Sequence, residues 1–279
     1  MSSILFAGGI KGGVGKSFVM RCLVQYFIHK NWKYTLIEAD ATIPDVRKIY
    51  KQNCKLVNFS DDPKKSHEPD IIFNEARKNT VLVNLPSNIF NSFNYWVEST
   101  NLLDLKNKYQ VEAVKLFVTD GCYESIEMFK QSVQKFNGKL LHLLIRNTGR
   151  LTAGSDFDYL EEKQELREII EKYSIPVYDL PALNSREQYF IDEYALTLEE
   201  ATKREDILDP LSCQRVVNFL DSVYLLFDGI ELIQAASPIK EKSNDKKSAS
   251  ADLKRKPKEG EKTEKNLHFD NNLVDAPSF

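Results

Sequence analysis

A glycine-rich segment near the start of the chain constrains the fold more than any other feature of the sequence. It reads Lys11-Gly12-Gly13-Val14-Gly15-Lys16-Ser17, directly after the apolar run 4–8 and directly before the amphipathic stretch 16–29. Glycines at this density let the backbone curl so that its N–H groups face one concavity, and a following helix directs its positive dipole end to the same point. The sequence therefore predicts a strand, a phosphate-binding loop and a helix, in that order.

Two side chains in this segment suit a nucleotide. Lys16 can reach the β- and γ-phosphates, and the Ser17 hydroxyl can hold Mg²⁺. The segment departs from the pattern G-x-x-x-x-G-K-[ST] in one respect, since Gly9 stands one place too far from Gly15. The predicted nucleotide contacts of the loop are Gly12, Gly13, Val14, Gly15, Lys16, Ser17 and Phe18.

Short apolar runs alternate with amphipathic stretches over residues 1–236. This rhythm predicts an α/β fold with a mainly parallel sheet flanked by helices. The predicted strands are 4–8, 34–38, 80–85, 113–119, 140–146 and 176–180. The predicted helices are 16–29, 72–78, 93–107, 123–136, 159–173, 186–194 and 211–234.

Composition excludes several classes of protein. With 279 residues and 42% apolar side chains, the chain can bury a sizeable core, and its net charge of −3 argues against a uniformly basic nucleic-acid binder. The four cysteines are scattered without a C-x-x-C pair, which argues against a disulfide framework or a zinc site. No signal peptide or membrane-spanning stretch is predicted, so a cytoplasmic protein is expected.

The composition changes at Ser237. Residues 237–266 contain no aromatic side chain and are dominated by Lys, Glu, Ser and Asp. Such a segment cannot bury enough apolar surface to offset the entropy of ordering it. We therefore predict a domain at 1–236 and a disordered charged tail at 237–279. The apolar helix 211–234 carries acidic residues where a membrane-surface helix carries basic ones, which favours a core-facing or dimer-facing helix.

The segment K-G-G-V-G-K-S resembles the deviant Walker A motif of the ParA/MinD family of P-loop ATPases. In that family a second lysine stands at the start of the motif, a place that Lys11 takes here. The resemblance implies that Lys11 reaches across a dimer interface to the nucleotide of the partner subunit. It therefore implies a homodimer that forms when ATP is bound.

Two further segments resemble the acidic motifs of the same family. Leu36-Ile37-Glu38-Ala39-Asp40 is similar to the apolar-D-x-D segment, which implies that Asp40 orients the attacking water and that Glu38 lies near the metal. The segment 81–86 is similar to the apolar-D-x-P motif, but Asn84 replaces the usual aspartate. An amide brings no negative charge to a magnesium shell. Hydrolysis is therefore expected to be slow, and Asn84→Asp to raise its rate.

The base is expected at the other end of the site. The strand 141–147 resembles the one that ends in an asparagine beside the base, which implies that Asn147 contacts adenine. No N-K-x-D arrangement for guanine follows it. The segment 175–181 resembles the last strand of the family, and Pro181 begins the loop that packs on adenine there.

The resemblance implies an ATP-dependent dimerisation switch with Mg²⁺ that hydrolyses ATP slowly. Its uses would be plasmid or chromosome partition, conjugative mobilisation or intracellular positioning, with an unknown protein partner or cargo. The catalytic candidates are Lys11, Lys16 and Asp40, and the metal candidates are Ser17, Glu38, Asp40 and Asn84.

Two alternatives stay open from the sequence: a small-molecule ligase of the dethiobiotin-synthetase or cobyrinate-amidase type, and a scaffold that binds ATP without turning it over. Non-specific DNA binding also stays open, whereas a membrane partner is not expected.

Overall fold

One parallel sheet organises the protein, and the computed structural model describes residues 2–9, 11–60, 62–151 and 156–237. Within these residues the sheet has seven strands in the order β3-β2-β4-β1-β5-β6-β7, and all neighbouring strands are parallel. The predicted α/β fold with a mainly parallel sheet is confirmed. The strands are β1 (Ser2–Gly8), β2 (Tyr34–Glu38), β3 (Cys54–Leu56), β4 (Thr80–Asn84), β5 (Val111–Thr119), β6 (Leu141–Asn147) and β7 (Val177–Leu180).

Helices connect the strands and cover the sheet. They are α1 (Lys16–His29), α2 (Asp45–Tyr50), α3 (Asp70–Ala76), α4 (Phe90–Ser99), α5 (Lys106–Tyr109), α6 (Tyr123–Lys135), α7 (Asp158–Glu161), α8 (Gln164–Lys172), α9 (Ser185–Glu193), α10 (Leu198–Ala201), α11 (Pro210–Asp228) and α12 (Glu231–Gln234).

The structure differs from the sequence prediction at several elements. β3 and α2 were not predicted. β3 has only three residues, of which Lys55 and Leu56 are exposed, and it therefore carries no apolar run. The predicted helix 211–234 is two helices, since the chain becomes extended at Ile230. The predicted helices 93–107 and 159–173 are likewise interrupted.

The central strand β1 shows why the sheet is covered on both faces. Successive side chains of a strand point to opposite faces. Leu5 and Ala7 pack with α1 and α11, whereas Ile4 and Phe6 pack with α3 and α4. Because all four side chains are fully buried, β1 lies in the middle of the core.

The helix α11 packs against α1, as a core-facing helix does. The Phe18 and Phe219 rings lie 5.6 Å apart, and those of Tyr26 and Phe227 lie 5.4 Å apart. Among the described residues no helix has both the length and the apolar character needed to cross a membrane. The predicted tail at 237–279 lies outside the described residues beyond Ser237.

Candidate functional site

The glycine-rich loop joins the carboxyl end of β1 to the first residue of α1. Gly13 and Gly15 have φ angles of +82° and +100°, in the left-handed region that favours glycine. At Gly15 a Cβ would also lie 2.2 Å from Asn147 Nδ2. Gly15 precedes α1 without any side-chain cap, so the N–H groups of the first turn are not taken by a capping side chain. The loop and the start of α1 therefore keep backbone N–H groups free of a capping side chain, as the predicted anion site requires.

Lys16 lies inside this loop as a buried cation. Its side chain is 8% exposed, and Nζ donates to the carbonyl oxygen of Lys11 over 3.0 Å. Burial lowers the pKa of Lys16, while the nearby charge of Asp40 acts in the opposite direction. Among the described residues Lys16 makes no ion pair, so its charge lacks a carboxylate partner.

A cavity of about 260 Å³ opens in front of the loop. Gly12, Gly13, Gly15, Lys16, Ser17 and Phe18 line one side. Asp40 lines the cavity from the segment between β2 and α2, and its Oδ1 accepts from the N–H groups of Thr42 and Ile43. The structure thus brings the loop and Asp40 to one cavity, although they come from different strand ends.

The predicted metal residues Ser17, Glu38 and Asn84 form a chain of hydrogen bonds beside the loop. Asn84 Nδ2 donates to Ser17 Oγ over 3.3 Å and to Glu38 Oε1 over 2.8 Å. Burial raises the pKa of Glu38 to about 7, although the hydrogen bonds that it accepts act in the opposite direction. Asn84 Oδ1 is buried and has no hydrogen-bond partner in the structure.

These residues fit a magnesium ion bound together with phosphates. Mg²⁺ takes oxygen ligands, keeps several waters, and commonly uses one or two side chains plus substrate phosphates. Ser17 offers a hydroxyl oxygen, Asn84 an unpartnered amide oxygen and Asp40 a carboxylate at the cavity. Glu38 fits less well, because both of its oxygens already accept hydrogen bonds within the protein.

Lys11 is turned toward β5 rather than into the cavity. Its Nζ lies 3.1 Å from Asp120 Oδ2 and 3.1 Å from Cys122 Sγ. Hydrogen bonds to Cys122 and Asp120 raise the pKa of Lys11, so the side chain remains a cation. The lysine is 39% exposed and lies at the surface of this single chain.

Asn147 and Pro181 are not brought to the cavity. Asn147 Nδ2 donates to the Val14 carbonyl oxygen over 2.8 Å, and Oδ1 accepts from Gly149 N–H over 3.1 Å. The amide nitrogen therefore holds the glycine-rich loop, and the amide oxygen caps the turn that follows β6. Pro181 directly follows β7, whose last carbonyl accepts from Thr148 Oγ1. Asn147 thus holds the glycine-rich loop through Val14, and its contact with adenine stays a prediction.

Sequence reasoning missed a charged pair that lines the same cavity. Arg21 lies one turn after Ser17 on α1, and its Nη1 pairs with Asp192 Oδ1 of α9 over 2.5 Å. Arg21 is 4% exposed, and its Nε has no partner in the structure. The four-residue spacing from Ser17 could have indicated Arg21, since such residues share one helix face. Nothing in the sequence indicated Asp192.

Comparisons with known proteins find similarity to a curated protein and to several solved structures. No family model matches the chain. Protein MobD of Acidithiobacillus ferrooxidans is 30% identical over 161 residues, which are 52% of this chain and 63% of that protein. The chain thus spans less than two thirds of the length of the curated relative that it matches.

Solved structures give a more distant likeness. The MinC:MinD cell division protein complex of Aquifex aeolicus contains a chain that is 13% identical, with a TM-score of 0.47 over 80% of this chain and 96% of that one. A ParA family ATPase of Chlorobium tepidum is 9% identical, with a TM-score of 0.47 over 78% of this chain and 97% of that one. The chain resembles ParA and MinD proteins. These are the proteins whose motifs the sequence resembles.

Proposed function

We propose that this chain binds Mg–ATP in the cavity at the glycine-rich loop and acts as a nucleotide-dependent dimerisation switch, with residues 1–236 as the working domain. The observation that carries the proposal is Lys16, a buried ammonium without a carboxylate partner among the described residues. A buried cation is costly unless an anion compensates it. Phosphate groups suit the place, because the loop amides and the α1 dipole favour negative charge there.

The residues at and beside the loop then have the following tasks. Lys16 binds oxygens of the β- and γ-phosphates, and the N–H groups of Gly13, Gly15 and Ser17 add further donors. The Ser17 hydroxyl and the amide oxygen of Asn84 hold the metal or its waters. Bound Mg²⁺ supplies charge neutralisation at the phosphates.

Asp40 is the residue proposed to orient the attacking water. Its carboxylate lines the cavity and is fixed by the N–H groups of Thr42 and Ile43. Asn84 adds no charge at the metal shell, which supports slow hydrolysis. A scaffold that binds ATP without turnover is the second candidate, and the same uncharged Asn84 favours it. Measured phosphate release from ATP separates the two candidates.

Lys11 is proposed to act in a second copy of the chain. In the single chain it is held by Asp120, so it must exchange this carboxylate for phosphate oxygens of the partner's nucleotide. A contact of this kind makes the dimer depend on ATP, since the γ-phosphate supplies the charge that Lys11 neutralises. Plasmid or chromosome partition, conjugative mobilisation and intracellular positioning, each with a protein partner or cargo, are the proposed settings.

Calorimetry of ATP binding tests the first half of the proposal. Lys16→Ala should lower the affinity at least about 100-fold, because it removes the one buried cation of the loop. Lys78→Ala is the matched control and should bind as the wild type does. This exposed lysine lies just before β4, at the end of the sheet opposite the loop. Equal affinity of Lys16→Ala and wild type would refute the nucleotide assignment.

Sedimentation with a non-hydrolysable ATP analogue tests the second half. The wild type should form a dimer with the analogue but not with ADP, and Lys11→Ala should remain monomeric while it still binds the analogue. Asp40→Ala should accumulate the dimer in ATP itself, because hydrolysis is impaired. A dimer of unchanged stability in Lys11→Ala would contradict the proposed role of Lys11.

A further inference from the structure

Two buried side chains meet where neighbouring strands end. β2 and β4 are adjacent and parallel, and their register places Glu38 opposite Asn84. Asn84 Nδ2 donates to Glu38 Oε1 over 2.8 Å, and Glu38 and Asn84 are 0% and 1% exposed. The second hydrogen of the same amide nitrogen is directed to Ser17 Oγ over 3.3 Å. The contact therefore joins the phosphate loop to the end of β2.

Glu38 also accepts two hydrogen bonds from the backbone. Oε1 accepts from Asp40 N–H over 3.1 Å, and Oε2 accepts from Val46 N–H, in the first turn of α2, over 3.0 Å. An ionised carboxylate only accepts hydrogen bonds. The side chain that faces Oε1 must therefore be a donor, which an asparagine can be and an ionised aspartate cannot.

We propose that Glu38 and Asn84 are a matched acid–amide pair, in which position 38 holds the negative charge and position 84 must supply the donor. In this pair Asn84 is a positioning residue for the Ser17 hydroxyl, and Glu38 is a positioning residue for the segment 39–46 that carries Asp40. The role of these residues beside the metal rests on the proposed function, whereas the pairing of Glu38 with Asn84 does not.

The pair reverses one expectation from the sequence. Asn84→Asp was expected to raise hydrolysis by restoring a family carboxylate. In the structure it places two carboxyl groups in contact at a buried site, where neither can donate while both are ionised and where like charges in contact repel strongly. The exchange Glu38→Gln/Asn84→Asp returns one charge and one donor with their positions reversed, and it loses only the hydrogen bond from Asp40 N–H to Oε1.

Thermal unfolding without nucleotide, at pH 8, tests the pair directly. Asn84→Asp should lower the midpoint by about 5 °C or more. The exchange variant Glu38→Gln/Asn84→Asp should recover more than half of that loss. The matched control is Asn94→Asp, at a second buried asparagine whose Oδ1 also lacks a partner in the structure. Glu38→Gln should not restore the midpoint of Asn94→Asp. The midpoint of Glu38→Gln/Asn94→Asp should therefore fall by the sum of the two single losses.

A second readout links the pair to the site. Asn84→Asp should release phosphate from ATP no faster than the wild type, and the exchange variant should exceed Asn84→Asp. The proposed pair would be overturned if Asn84→Asp unfolded at the wild-type midpoint. It would also be overturned if the midpoint of the exchange variant fell by the sum of the two single losses. If the midpoints behave as expected while the wild type binds no ATP, the pair stands and the proposed function fails.

Discussion

Two buried polar clusters of this protein compensate their charge in different ways. The Glu38 cluster consists of Ser17, Glu38 and Asn84, and its carboxylate accepts three hydrogen bonds. The Lys115 cluster consists of Lys115, Ser132 and His142. Among the described residues its ammonium has one hydrogen-bond acceptor, Ser132 Oγ at 2.9 Å, and otherwise lies over the rings of Phe93 at 4.8 Å and Phe117 at 5.8 Å.

The Lys115 cluster is a directed chain of hydrogen bonds. His142 Nδ1 lies 2.8 Å from the Leu140 carbonyl oxygen and must donate to it, so Nε2 accepts from the Ser132 hydroxyl over 3.0 Å. Ser132 Oγ then accepts from Lys115. Burial lowers the pKa of Lys115 to about 7, and burial together with the charge of Lys115 lowers the pKa of His142 to about 3.

The position of each cluster in the sheet explains the difference. Glu38 ends a strand, where the following segment still has free N–H groups to offer, and Asp40 and Val46 donate two of them. Lys115 lies in the middle of β5, where strands on both sides use the backbone groups. A charge at a strand end can therefore be fully hydrogen-bonded, whereas a charge inside the sheet depends on side chains alone.

The largest expected effect is at the Glu38 cluster. Glu38→Ala removes the acceptor of three hydrogen bonds, two of them from the buried residues Val46 and Asn84, and should lower the free energy of unfolding by about 3–5 kcal/mol. Urea denaturation measures this loss. Glu38→Gln, which keeps one acceptor oxygen, should lose less. A loss for Glu38→Ala below about 1 kcal/mol would mean that the three hydrogen bonds do not stabilise the fold.

The opposite sign is expected at the Lys115 cluster. Lys115→Met replaces a poorly compensated buried amine by an apolar side chain of similar length, and should raise the free energy of unfolding by about 1–3 kcal/mol at pH 7. The same denaturation experiment applies. Lys78→Met, at a lysine that is 66% exposed, is the control and should change little. Destabilisation by Lys115→Met would show that Ser132 and the Phe93 ring compensate the amine after all.

The smallest expected effect is a change of the free energy of unfolding with pH. The pKa of Lys115 is about 7 in the folded protein and 10.5 in its ordinary state, so between pH 8 and 9.5 the unfolded chain holds a proton that the folded chain lacks. Stability of the wild type relative to Lys115→Met should therefore rise with pH, by up to about 1.4 kcal/mol per unit. Denaturation of both proteins at three pH values measures the slope. Parallel curves would indicate that Lys115 stays protonated in the fold.

Glu38 does not disturb that measurement. Its pKa is raised from 4.5 to about 7, so its contribution to stability is present below pH 4.5 and is lost as the pH rises toward 7. Above pH 8 the carboxylate is ionised in both states and contributes no slope. The two clusters thus respond to pH in different windows and with opposite signs.

The sequence by itself determined the glycine-rich loop and the class of fold. The loop at 11–17 is recognisable because its glycines, its lysine and the strand and helix around it are all local in the chain. The alternation of apolar runs and amphipathic stretches likewise reports the fold class, because each run reflects burial of its own element. Short or exposed elements such as β3 escape this signal, since three residues at a sheet edge carry no pattern.

Only the tertiary structure decided which side chains of the site meet. Glu38 and Asn84 are 46 positions apart, and Asn147 and Val14 are 133 apart. Their contacts depend on the strand order β2-β4-β1-β5-β6, which no local pattern encodes. The order places Asn84 between Ser17 and Glu38 and brings Asn147 into contact with the loop at Val14. A motif can name a residue, but its hydrogen-bond partner follows from which strand lies beside it.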